Sequence, residues 1–222
     1  MVASDPRKAG RPKNPVARVE LLKMARAAFA NKGYAGASMA GIAEQAGIRK
    51  ASLFHHFHTK EALYLEVLSN ISEELAQLVA DANLGEGGFL ERLDRLGILV
   101  VRYLGLHPSA ARLAVRELVD GGPYYRGEGR DRVALSMQAV AVFLQIGMDE
   151  GAITPGDPRH LATSIIALHL FHFAAAEATS TLHQQDVFSA GAVDARAQAV
   201  VTQVRRLCGE VPEPTAGRRR GI

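Results

Sequence analysis

The sequence predicts an all-α chain. Apolar residues recur at spacings of three and four along most of its 222 residues, which is the period of a helix face. Capping and stopping residues bound those stretches. No segment sustains the period-two alternation of a half-buried strand.

The first 15 residues are basic, contain Pro and Gly, and have no apolar period, so 1–15 reads as a disordered arm. The first helix follows, with Val19, Leu22, Ala25 and Phe29 expected on one face and Gly33 as its end. Ser38 is placed to cap a second helix that turns Ile42, Ala43 and Ala46 inward, and Gly47 breaks it. A short third helix carries Leu53 and Phe57 on its inner side. Thr59 caps a fourth helix that starts at Lys60 and runs to about Ala82, with Glu61 favourable to the dipole of its first turn.

Beyond the GEGG loop at 85–88, Phe89–Leu106 is helical and His107-Pro108 interrupts it. A helix over 109–119 comes next, then the loop GGPYYRGEGR from Gly121. A helix over 131–150 ends at GAITPGDP. Pro158 suits the first turn of a long helix to about Thr181, and 192–207 is the last helix. No repeat of about 20–50 residues is present. Gly41 falls inside the second helix, where glycine costs about 1 kcal/mol relative to Ala; the sequence offers no reason for it.

Composition narrows the class. Hydrophobic residues make up 48% and charged residues 22%, as in ordinary soluble domains. The one cysteine, Cys208, cannot form an internal bridge, which suits a reducing compartment. The N-terminus lacks the apolar core of a secretory signal. The longest apolar stretch, near 161–176, is shorter than the roughly 20 residues of a membrane span and contains His169 and His172. It reads as a buried helix, and the expected location is the cytoplasm, at the nucleoid.

The net charge of +3 hides an asymmetry. Residues 1–66 hold 11 Lys/Arg against 5 Asp/Glu, whereas 67–214 hold 12 against 18. All six lysines lie in the first 60 residues. A basic end on an acidic body suggests that this end meets a polyanion.

Residues 38–57, SMAGIAEQAGIRKASLFHHF, combine a capped helix, a glycine turn and a short second helix. That is a helix-turn-helix pattern, although many helical hairpins share its periodicity. Ala43, Ala46 and Gly47 let the two helices cross closely, and Ile42, Ile48, Leu53 and Phe57 pack them on the first helix. Ser52, His55 and His56 then point outward, with Arg49 and Lys50 at the N-terminal end, as a major-groove reader requires.

The stretch 25–68, ARAAFANKGYAGASMAGIAEQAGIRKASLFHHFHTKEALYLEVL, resembles the DNA-binding domain of the TetR (tetracycline repressor) family. The matching positions are Phe29, Gly33-Tyr34, Ser38, Ile42-Ala43, Ala46-Gly47-Ile48, 53–57 and 60–63. The resemblance implies a DNA-binding domain over 16–66, a helical ligand-binding and dimerisation domain over 67–211, and a basic tail over 212–222. It implies that Ser38 touches a phosphate, that Lys50, Ala51 and Ser52 face bases, that Phe54, His55 and His56 lie on the backbone and neighbouring bases, and that Lys60 holds a phosphate.

Two departures alter that pattern. Phe54 replaces the usual Tyr and loses a hydroxyl contact. Arg49 replaces a small hydroxylated or acidic residue, so a capping side chain is lost and a cation gained; it can bond a guanine or a phosphate instead. Arg11 and Lys13, in the arm, are further DNA candidates for the minor groove.

The family's role, carried over, is that of a homodimeric repressor released from a palindromic operator by a small molecule. Dimerisation is expected through 158–181 and 192–207. Candidate ligand residues are polar groups in apolar helices: Arg102, Tyr103, Arg116, His169 and His172. The i,i+3 pair His169 and His172 raises the alternative of a metal-responsive regulator, and an activator on the same DNA-binding domain is another. No cofactor is expected. No nucleophile elbow, phosphate loop or HExxH motif speaks for an enzyme.

Overall fold

The computed structural model describes residues 18–83, 86–127 and 129–209, and every element among them is a helix. The arm, with Arg11 and Lys13, and the tail over 212–222 lie outside the described residues. In order the helices are α1 (Arg18–Gly36), α2 (Met39–Gln45), α3 (Lys50–His56), α4 (Lys60–Asn83), α5 (Phe89–Leu106), α6 (Pro108–Asp120), α7 (Pro123–Arg126), α8 (Gly129–Asp149), α9 (Pro158–Ala174), α10 (Ala176–His183) and α11 (Ala190–Cys208).

The first three helices form around Leu21, Ala25, Phe29, Ile42, Leu53 and Phe57, all almost fully buried. Val19 is 72% exposed, so the inner face of α1 starts at Leu21 and not at Val19. The apolar spacing admitted both, and packing against α4 selects the one that lies two residues later. Gly33 leaves the helical region with φ of 70°, and the side chain of Arg116 lies against it.

α4 runs without interruption across residue 66, where the sequence suggested a domain boundary, and takes part in both halves. Phe29, Tyr34 and Tyr64 form an aromatic cluster between α1 and α4, with centroids 4.8 Å apart for both Tyr64 pairs. In the body, α5, α6, α8, α9 and α11 surround Val101, Leu104, Leu113, Leu144, Phe173 and Val200.

Two regions differ from expectation. The segment after Gly121 is not simply a loop: Pro123–Arg126 make one helical turn that buries Tyr124, and α8 begins at Gly129, where a side chain would strike the Tyr124 ring. The long helix expected over 158–181 is two helices, α9 and α10, bent by 81° at Ala175. The Thr179 hydroxyl donates to the His172 carbonyl at 2.8 Å at this break, in place of the amide that a straight helix would have provided. No single helix among the described residues is long and apolar enough to cross a membrane.

Candidate nucleic-acid interface

The recognition hairpin is built locally first. Ser38 sits in the extended region, and its hydroxyl accepts the Gly41 amide at 3.1 Å, the N-cap expected from sequence. A Cβ on residue 41 would lie 3.2 Å from that same oxygen. The glycine inside α2 thus has a local reason: it lets the cap close without crowding. Gly47 has φ of 63° and joins α2 to α3 through the Gly47 amide to the Glu44 carbonyl and the Ile48 amide to the Ala43 carbonyl, both 3.0 Å. This left-handed turn favours glycine.

Arg49 stands at the N-cap of α3 with no side-chain cap bond. Lys50 opens the helix with its ammonium 5.6 Å from the Phe54 ring centroid. Neither cation has a carboxylate partner among the described residues. Ala51, Ser52, Phe54 and His55 are exposed on the outer side, His56 is half-buried, and Leu53 and Phe57 are buried behind them. One face of α3 is thus core, and the other presents cations, a hydroxyl and imidazoles to solvent.

A clamp that the sequence did not announce holds α3 from behind. Arg18 reaches three residues at the end of α3 and on α4: its Nε and Nη2 bond both Glu66 oxygens at 2.9 and 2.6 Å, its Nη1 donates to the His56 carbonyl at 3.0 Å, and the guanidinium lies 4.2 Å over the Phe57 ring. A residue 48 positions from its partner leaves no local pattern to detect.

Lys60 is placed differently from the other candidates. Its ammonium donates to the Tyr34 carbonyl at 2.9 Å and to the Ala37 carbonyl at 3.3 Å, and lies 4.4 Å over the Tyr34 ring. It pins the start of α4 to the end of α1, where the sequence suggested a phosphate contact. Thr59 caps α4 as expected, accepting the Ala62 amide at 3.0 Å.

The five ligand candidates do not converge. The Arg102 side chain is 61% exposed beside Asp194. The Tyr103 hydroxyl donates to Glu74 at 2.5 Å, and Glu74 also takes Arg26 of α1. Burial and then the Glu74 bond hold the Tyr103 hydroxyl above the ordinary phenol range. Arg116 donates to the Ala30 carbonyl of α1 at 3.2 Å, while its neighbour Glu117, 3% exposed, accepts from the Tyr64 hydroxyl at 2.5 Å and the Tyr125 amide at 2.7 Å. Two of the five, Tyr103 and Arg116, together with Glu117, thus join the body to the DNA-binding helices. Only His169 and His172 stay together, buried on α9 beside α11. A groove of about 470 Å³ between α8 and α9 touches none of the five. No group of three His, Cys, Asp or Glu side chains forms a metal-ligand set among the described residues.

Comparison with known proteins agrees with this architecture. The family model for bacterial regulatory proteins of the tetR family matches residues 21–67, and that for the tetracyclin repressor-like C-terminal domain matches 90–204. The HTH-type transcriptional repressor AcnR of Corynebacterium efficiens is 30% identical over 156 residues, covering 69% of this chain and 74% of its own. The ketosteroid transcriptional regulator KstR2 of Mycobacterium tuberculosis has the same fold, with a TM-score of 0.71 at 24% identity over 92% of this chain and 99% of its own. AibR, solved with isovaleryl coenzyme A and operator DNA, gives a TM-score of 0.67 at 18% identity, covering 87% of this chain and 98% of its own.

Proposed function

The chain belongs to the TetR family of bacterial regulatory proteins, and from that premise we propose that it is a homodimeric repressor released from a palindromic operator by a small molecule. One observation carries the reading: α3 is clamped by Arg18, Leu53 and Phe57 on its inner face and leaves Arg49, Lys50, Ser52 and His55 outward. Rigid support behind and uncommitted donors in front are what major-groove readout needs. Ser38, Ala51, Phe54 and His56 complete the contact surface. Lys60 contributes by holding the frame.

Dimerisation through α9 and α11 is supported by their outward faces. His160, Ser164, Ala167 and Phe171 form one exposed stripe, and Gly191, Ala195, Gln198 and Thr202 another. The small residues among them, Ser164, Ala167, Gly191 and Ala195, let helices of two copies approach closely, and Phe171, 67% exposed, supplies an apolar anchor. A two-fold axis there sets two recognition helices about 34–36 Å apart, one turn of B-DNA. Release by a ligand draws support from the links Tyr64–Glu117, Arg116–Ala30 and Arg26–Glu74–Tyr103, by which body and DNA-binding helices share polar bonds. AibR, with the same fold, was solved with both an acyl-coenzyme A and operator DNA.

The test is fluorescence anisotropy on DNA upstream of the chain's own gene, at two salt concentrations, with wild type and Lys50→Ala. Tight binding to a short palindrome that weakens steeply with salt is expected, and the variant loses about 1–3 kcal/mol. A chain that binds this DNA and a genome-wide library only at the non-specific level is not the regulator described.

A further inference from the structure

Four buried side-chain nitrogens have no hydrogen-bond partner among the described residues, and three of them belong to one cluster: Nε2 of His169, Nε2 of His172 and Nε of Arg196. The histidines are 6% and 7% exposed on α9, and Arg196 is half-buried on α11. The bend at Ala175 carries α10 back over this cluster and brings the His183 ring to 5.6 Å from that of His172. His183 is exposed.

The cluster lacks a negative charge. Arg196 donates from Nη2 to the Leu168 carbonyl at 2.6 Å but meets no carboxylate among the described residues. Residues 176–209 contain three acids, and all are committed elsewhere. Glu177 pairs with Arg112, Asp194 lies beside Arg102, and Asp186 accepts the Phe188 amide. Burying a guanidinium without an anion is expensive, and proteins ordinarily supply one. Burial pushes the Arg196 guanidinium down, and the same cation, after burial itself, holds His172 down. A divalent cation would only add to that positive charge.

We propose that α9, α10 and α11 form a binding site for a small oxyanion, a carboxylate or a phosphate, held by Arg196, His172 and His183. Two oxygens of such a group take the Arg196 Nε–H and the His172 Nε2–H, and His183 closes over the third face. These are charge-assisted bonds in a poorly hydrated place, where they are strongest. His169 backs the site: its Nδ1 lies 2.7 Å from the Ile165 carbonyl and so carries the proton, and its Nε2 lies against Gly97 of α5. Because the site spans the bend and the last helix, an occupant ties α10 to α11. This assigns a chemical class to the effector of the repressor reading and rests on it only for that consequence.

The full-length protein, labelled with ¹⁵N-histidine, is titrated with inorganic phosphate and separately with acetate, against sodium chloride at matched ionic strength, while imidazole resonances are followed. A saturable shift at His172 and His183 with one of the two anions is expected, and the anion that produces it identifies the class. Arg196→Gln weakens that response at least about tenfold. His183→Gln, at an exposed position, does the same should Arg196→Gln fail to fold. Imidazole signals that follow only the chloride control, or a response unchanged in both variants, overturn the site. Operator affinity is measured in the same buffers without the anion, so a failure to bind DNA and a failure to bind the anion register separately.

Discussion

Residue-scale chemistry governs the recognition hairpin. The φ of 63° at Gly47 costs any other L-residue strain, although open space surrounds it. Gly47→Ala should therefore lower stability by about 1–2 kcal/mol through backbone conformation alone, read as a drop in urea midpoint with no change in slope. An unchanged midpoint would show that the turn relaxes. Arg49 makes the opposite trade. It occupies an N-cap without capping, so Arg49→Ser should add about 1 kcal/mol of stability. The same change should weaken operator binding by about 1–3 kcal/mol if the guanidinium reaches DNA. Melting temperature and anisotropy separate the two effects. A variant that is stabilised and still binds as well as wild type would remove Arg49 from the contact surface.

At the scale of elements, the packing of α9 on α11 sets a pH dependence. Burial, then Arg196, then His183 hold the His172 imidazole down to about 4, against an ordinary 6.5. Between those values the unfolded chain binds a proton that the folded chain refuses. The stability carried by the neutral ring is complete above the unfolded value and is lost as pH falls from there toward the folded one. The slope is at most about 1.4 kcal/mol per unit. Urea melts at neutral pH and at about pH 5 should show a smaller loss for His172→Gln than for wild type. Equal losses would place the acid sensitivity elsewhere. His169 shifts the same way through its burial and adds to the slope.

On the scale of the whole molecule, one continuous core joins the DNA-binding helices to the body, and α4 belongs to both. Movement in the body is therefore transmitted as displacement of packed helices with shared polar bonds, since close-packed interiors shift as units. In the proposed homodimer the remaining coupling runs through the second copy. Phe171→Glu places a charge on the outward stripe of α9 and should convert the dimer to monomer by light scattering. Operator affinity should fall at least about tenfold as one half-site is lost. A dimer that survives this change would move the interface away from α9.

The sequence by itself determined the helical class, the N-caps at Ser38 and Thr59, the glycine turn, and the inner residues of the recognition hairpin. These depend on spacings of three to four residues and on single residue types, so they are written locally. It also determined which side of α3 faces outward, since Leu53 and Phe57 can lie only inside. Only the tertiary structure decided the rest. Leu21 replaces Val19 because α4 supplies the cover. Lys60 turns inward because two carbonyls lie within its reach, and Arg18 finds Glu66 across 48 residues. The candidate ligand residues scatter because each polar group in an apolar helix answers to whatever partner the neighbouring helix brings. The break at Ala175 carries no glycine or proline to mark it; long-range packing bends the chain there and places His183 over His172. Contacts between distant helices leave no period in the chain, so no local reading of it could have found them.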